Sequence, residues 1–134
     1  MIRDSLIPAL KSEFAGWEIV FDEPPQPIAT FPAAQQAVGR VLVYDDGDEA
    51  TVLIEKITHG HFNPYNETLR GDQRDKMVTE DVVDFLSALF NDRVLLHTSA
   101  DNRVGGWTRL DLKEGPVELS PSLRYFLWSR PYEP

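Results

Sequence analysis

Two β-forming runs flanking an Asp-rich tetrad constrain this chain more than any other feature. Residues 38–44 and 50–57 are rich in Val, Leu and Ile, and Asp45-Asp46-Gly47-Asp48 lies between them. Asp-Gly is favoured in tight hairpin turns, because glycine accepts positive φ and aspartate tolerates it. The expectation is an antiparallel hairpin turning at Asp46-Gly47. Val41 and Val43 alternate with Leu42 and Tyr44, so both strand faces are apolar and the hairpin should lie within a sheet covered on each side.

The flanking segments supply helices and further strands. Ile2, Leu6, Leu10 and Phe14 recur at four-residue steps, with Ile7 beside them, which places them on one helical face. Pro8 is tolerated in a first turn, so this helix is expected to start near Asp4 or Ser5 and to stop at Gly16. Residues 17–21 read as a strand with Trp17, Ile19 and Phe21 on one face. Residues 22–34 contain Pro24, Pro25, Pro27 and Pro32. They read as an extended surface connection, with Ile28 and Phe31 against the core. Residues 63–76 are polar and read as a long loop. A second helix is expected from Thr79, with its hydroxyl as cap, Glu80 and Asp81 complementing the helix dipole, and Val78 stapled to Val83. Its buried stripe would be Val82, Leu86, Leu89 and Phe90, and its C-terminal cap Asn91.

Residues 94–99 and 106–112 form a second expected strand pair around a turn at 100–103. Residues 123–129 admit two readings. Ser120-Pro121 suits a helix start, whereas Tyr125, Phe126 and Trp128 favour a strand; the strand is preferred. The expected fold class is α+β: a mainly antiparallel sheet of about five or six strands with two helices packed on it, in one domain spanning 1–134.

Composition narrows the function. The 134 residues are 42% hydrophobic and 26% charged, which suits a globular chain. There is no cysteine, which removes disulfides, thiolate nucleophiles and cysteine-ligated metal sites. Arg3, Asp4, Lys11 and Glu13 interrupt the first stretch, which does not read as a signal peptide, and no apolar stretch approaches the roughly 20 residues of a membrane span. A cytoplasmic location is expected. The net charge is −9, without a Lys/Arg cluster, which argues against nucleic acid and anionic membranes and favours a basic protein partner.

Motifs for chemistry are sparse. His59-Gly60-His61 puts two imidazoles on one strand face, a spacing used by metal sites. Glu55 shares that alternation and His97 is the remaining histidine, but the full ligand spacing of a zinc site is missing, and no tightly held metal or other cofactor is expected. Asp72 or Asp75 could partner these histidines in acid–base chemistry. Ser87 and Ser99 lack a nucleophile elbow. Gly105-Gly106 lacks phosphate-loop spacing and marks a bulge or close backbone approach. The acidic run at 45–49 does not match a calcium loop. Asn66-Glu67-Thr68 matches a glycosylation acceptor without a secretory context.

The C-terminal aromatics Trp107, Tyr125, Phe126, Trp128 and Tyr132, with Arg124 and Arg130 among them, combine core formers with types common at binding hot spots. Tyr125, Trp128 and Tyr132 are the candidate partner-binding residues. The leading expectation is a non-catalytic binding module that neutralises or regulates a basic partner, as an immunity-type protein does. The alternative is a metal-assisted hydrolase centred on His59 and His61. A third, a small-molecule pocket beneath the proline-rich segment, rests on Ile28 and Phe31.

Overall fold

A computed structural model describes residues 1–64 and 68–133; the Asn66-Glu67 part of the glycosylation triplet lies outside them. The elements run α1 (Ile2–Glu13), β1 (Val20–Phe21), β2 (Ala29–Phe31), β3 (Val41–Asp45), β4 (Ala50–Ile54), β5 (Thr58–Phe62), α2 (Gly71–Phe90), β6 (Val94–Ser99), β7 (Gly105–Arg109) and β8 (Leu123–Phe126). The first five strands form an antiparallel meander in chain order, and the last three form a separate antiparallel sheet ordered β7-β6-β8. The α+β class, the two helices and the antiparallel pairing are as expected. The five-stranded sheet matches the expected sheet of about five or six strands, and the three-stranded sheet stands beside it among the described residues.

α1 starts at Ile2, earlier than expected, with Pro8 inside it. Pro8 is exposed, and the helical bond it forgoes is the one to the Asp4 carbonyl, also on the exposed side. An interior proline costs about 3 kcal/mol. Burying an aliphatic side chain such as Ile2, fully enclosed here, returns roughly 1.5–3 kcal/mol, so extending the helix to Ile2 offsets much of that cost. Trp17, Ile19 and Phe21 face the core while Glu18 and Val20 are exposed, as alternation requires, although only 20–21 are paired as strand.

Residues 22–34 are not simply a surface connection. They contain β2, which sits between β1 and β3. The prolines flank this strand instead of interrupting it, so no ladder donor is lost. The Ile28 amide donates to the Val43 carbonyl at 2.8 Å, and Ile28, Ala29 and Phe31 are wholly buried.

The β3–β4 hairpin forms, with Gly47 at φ +87°. Its central pair is Gly47-Asp48, one residue beyond the expected Asp46-Gly47, because the Asp46 amide closes the turn on the Glu49 carbonyl at 2.9 Å. Val41, Val43, Ala50, Val52 and Ile54 join the core. The opposite face carries Leu42, Tyr44, Thr51, Leu53, His59 and His61. Among the described residues no helix covers it, contrary to the expectation of cover on both faces; Leu42 is nevertheless only 8% exposed, flanked by Thr30 and Leu53.

α2 begins at Gly71, not Thr79. Its first two turns are mostly exposed, which accounts for their polarity, and Arg74 anchors them. Arg74 donates to the Asp48 carbonyl at 2.5 Å and to Asn63 Oδ1 at 3.0 Å. Thr79 is therefore no cap; its hydroxyl donates to Ser5 Oγ at 2.9 Å and ties the two helices together. Val78, Val82, Leu86 and Leu89 are buried, with Val83 and Phe90 partly buried against the core. Asn91 caps the C-terminus, its side-chain amide donating to the Ser87 carbonyl at 2.7 Å.

The two sheets meet where glycines remove side chains. A Cβ on Gly105 would overlap the Ile57 carbonyl oxygen, and one on Gly60 would overlap the Trp107 ring. The close approach inferred for Gly105-Gly106 is thus the seam between β5 and β7. One hydrophobic cluster runs through both helices and both sheets. Among the described residues no helix is long and apolar enough to cross a membrane.

Candidate functional site

Beside that seam lies a cleft of about 310 Å³ bounded by α2, β5 and β7. Aromatic rings line it: Phe85 packs on Phe62 and Trp107 with ring centroids 5.4 and 5.0 Å apart. The ring edges come together because β5 turns Phe62 inward opposite Ala50 while Trp107 fills the space left by Gly60. The polar lining comes from Asp81 and Asp84 on α2, Arg109 on β7 and His61 on β5.

Arg109 is held by two carboxylates. It bonds Asp111 through two nitrogens, at 3.0 and 2.9 Å, and Asp84 at 3.0 Å. The Asp111 bonds, more than those to Asp84, keep the guanidinium firmly charged, and in return Arg109 holds the Asp111 carboxyl below the ordinary carboxylate range. Asp81 goes the other way. Its side chain reaches solvent, yet partial loss of hydration raises its pKa, and the charges of Asp84 and Glu80 raise it further.

Across the ridge formed by Glu80 and Asp84 lies a second, shallower groove between α1 and α2, of about 460 Å³. Its charged lining is Glu13, Glu80 and Asp84, all acidic. Three carboxylates on α2 thus stand between two concave surfaces. The expectation placed Glu80 and Asp81 in the first helical turn, where the dipole would reward them. With the helix starting at Gly71 they lie in its third turn, where it does not. Glu80 and Asp84 are also an i,i+4 like-charge pair, which weakens a helix. Lys76 reaches Glu80 only at 4.0 Å.

The histidines divide differently from the expectation. His61 Nδ1 lies 3.2 Å from Glu49 Oε1 and 3.1 Å from Thr51 Oγ, and donor atoms of Asp46, Glu49 and His61 fall within 4.8 Å of one another. His59 shares the face, its ring centroid 5.1 Å from that of His61. Glu55 is not drawn in: Arg40 binds it at 2.6 Å and holds its carboxyl low. His97 lies on β6 in the other sheet, against Gly106 and Tyr125. Asp72 is exposed in the first turn of α2, and Asp75 faces the Met1 amino group at 3.2 Å, so neither carboxylate is paired with a histidine here.

Ser99 serves a turn. Its hydroxyl donates to Asp101 at 2.6 Å and accepts from the Arg103 and Val104 amides. Of the aromatic candidates, Trp128 is 2% exposed and packs on Trp17 and Phe90 in the core. Its ring offers no surface to a partner, because the chain turns back after Phe126, the Leu127 amide donating to the Arg130 carbonyl. Tyr125 and Tyr132 are half-buried and line one shallow pocket; the Tyr125 hydroxyl accepts the Ser120 amide at 2.7 Å.

No family model, no curated protein and no solved structure matches this chain.

Proposed function

We propose that this chain is a non-catalytic, cytoplasmic binding protein that docks a basic partner protein on the acidic side of α2. The observation that carries this reading is the ridge of Glu80, Asp81 and Asp84. These carboxylates lie in mid-helix, beyond the reach of the helix dipole. Arg109 binds Asp84 and Lys76 lies 4.0 Å from Glu80, so the lost hydration and repulsion fall on Asp81, and concave surfaces flank the ridge on both sides. A lysine or arginine side chain entering either groove would relieve that repulsion. The half-buried rings of Phe62 and Trp107 would supply apolar contact beside it. The overall charge of −9 would speed encounter with such a partner, with screening over about 10 Å at 0.1 M salt.

Tyr125 and Tyr132 form a rival docking surface. The hydrolase alternative centred on His59 and His61 is weaker, since Glu55 is engaged by Arg40 and His97 belongs to the other sheet. The test is capture from the source cell's lysate over a salt series, comparing the parent with a Glu80→Gln, Asp81→Asn double variant and a Tyr125→Ser, Tyr132→Ser double variant. The expected result is a basic partner whose retention falls with salt and is lost in the acidic-ridge variant alone. Retention by that variant equal to the parent's would refute the assignment, and loss in the tyrosine variant alone would move the site to the C-terminal aromatics.

A further inference from the structure

We infer that Asp46, Glu49 and His61 form a labile site for a divalent transition-metal ion of the zinc type. The inference stands apart from the binding reading above and survives or fails without it.

Its basis is the meeting of two unrelated pieces of chain. The carboxylates come from the β3–β4 turn, and the imidazoles come from edge strand β5. The register that pairs Thr51 with His61 and Leu53 with His59 brings the turn and the imidazoles onto one face of the sheet. The donor atoms lie within 4.8 Å of one another. Ligands arranged tetrahedrally around zinc at its usual bond lengths stand roughly 3.4 Å apart. His61 Nδ1 and Glu49 Oε1, at 3.2 Å, already have that spacing.

The supports are in place as well. The Asp46 amide bonds the Glu49 carbonyl at 2.9 Å, which fixes the two carboxylate-bearing residues relative to each other. The Thr51 hydroxyl donates to the Asp46 carboxylate and so orients that ligand, as outer-shell groups do in metal sites.

The donor set selects the metal. Imidazole nitrogen with carboxylate oxygen suits zinc, cobalt and nickel, whereas calcium and magnesium take oxygen alone. The His61 nitrogen distinguishes the site from a merely acidic surface patch. The ligands are open to solvent, with His61 51% exposed, so the ion should exchange readily.

The test is titration of chelator-treated, tag-free protein with zinc chloride by calorimetry and with cobalt chloride by visible absorption. The expected result is one saturable site per chain, with a cobalt spectrum of nitrogen and oxygen ligation and affinity falling as pH drops and the imidazoles protonate. His61→Ala and Glu49→Gln should each weaken binding by more than about tenfold, with circular dichroism unchanged, and His97→Ala should bind as the parent does. Zinc should raise the melting temperature of the parent and not of His61→Ala. Absence of saturable binding overturns the inference, as does binding that persists unchanged in both His61→Ala and Glu49→Gln.

Discussion

Neutralising Asp81 should stabilise the fold while weakening the proposed binding. In the parent, Asp81 has a raised pKa, first because it loses hydration and then because Asp84 and Glu80 repel it. For an acid whose folded pKa lies above its unfolded one, the sign is unfavourable. Below the unfolded pKa both states are protonated and the group contributes nothing. As pH rises past that point the unfolded chain ionises more easily, and stability falls until the folded carboxyl has also ionised. At neutral pH Asp81 therefore costs stability, and Asp81→Asn removes the cost. Like charges three or four residues apart on a helix cost about 0.2–0.5 kcal/mol; since Asp81 reaches solvent, the lower part of that range applies. For a chain of this size that corresponds to roughly 1–2 °C in melting temperature. Differential scanning calorimetry at pH 7 and pH 3 reads the effect. Asp81→Asn should melt above the parent at pH 7, and the difference should vanish at pH 3, where Asp81 is protonated in both states. A variant that melts below the parent at pH 7 would refute the reasoning and show that Asp81 makes a favourable contact.

Other substitutions test the framework that shapes the cleft. Leu86→Ala, at a fully enclosed position, should cost about 2–5 kcal/mol in denaturant unfolding. Gly105→Ala drives a methyl into the Ile57 carbonyl oxygen, a backbone atom that cannot swing aside, and should cost about 3 kcal/mol or more by the same measurement. Gly60→Ala meets the Trp107 ring instead; it should cost less than Gly105→Ala and shift the tryptophan fluorescence. Gly47→Val, forced to φ +87°, should cost upwards of about 1–2 kcal/mol, and melting like that of the parent would show that the turn can reshape.

Much of the fold was legible because local signals and packing agree. The alternation of Val41, Leu42, Val43 and Tyr44 gave a true strand, Asn91 is a true cap, and residues 123–126 are strand where the aromatics favoured it. Legibility failed where polarity was mistaken for the lack of regular structure. The start of α2 reads as loop because Arg74 and its neighbours are polar, yet Arg74 is matched by Asp48 and Asn63. Likewise β2 was hidden by prolines that frame it, and the hydrogen bond of Ile28 to Val43 is long-range information that composition does not carry.

That one displaced boundary also concealed the candidate site. With α2 begun at Thr79, Glu80 and Asp81 have an ordinary reason to be acidic, since the helix N-terminus attracts negative charge. With α2 begun at Gly71 the same residues lose that reason, and Asp81 carries a cost, from lost hydration and then from Asp84 and Glu80, that helix stability does not explain. The histidine site was hidden by register instead. His59-Gly60-His61 announces two imidazoles on one face, but which carboxylates they meet depends on Thr51 pairing with His61, and so on where the turn after Asp45 closes. Shifting that pairing by one residue would send the imidazoles to the opposite face. Glu55, the local candidate, instead meets Arg40. The chemistry of both regions is therefore set by pairings between distant segments, and only the residue types, not their partners, can be read along the chain.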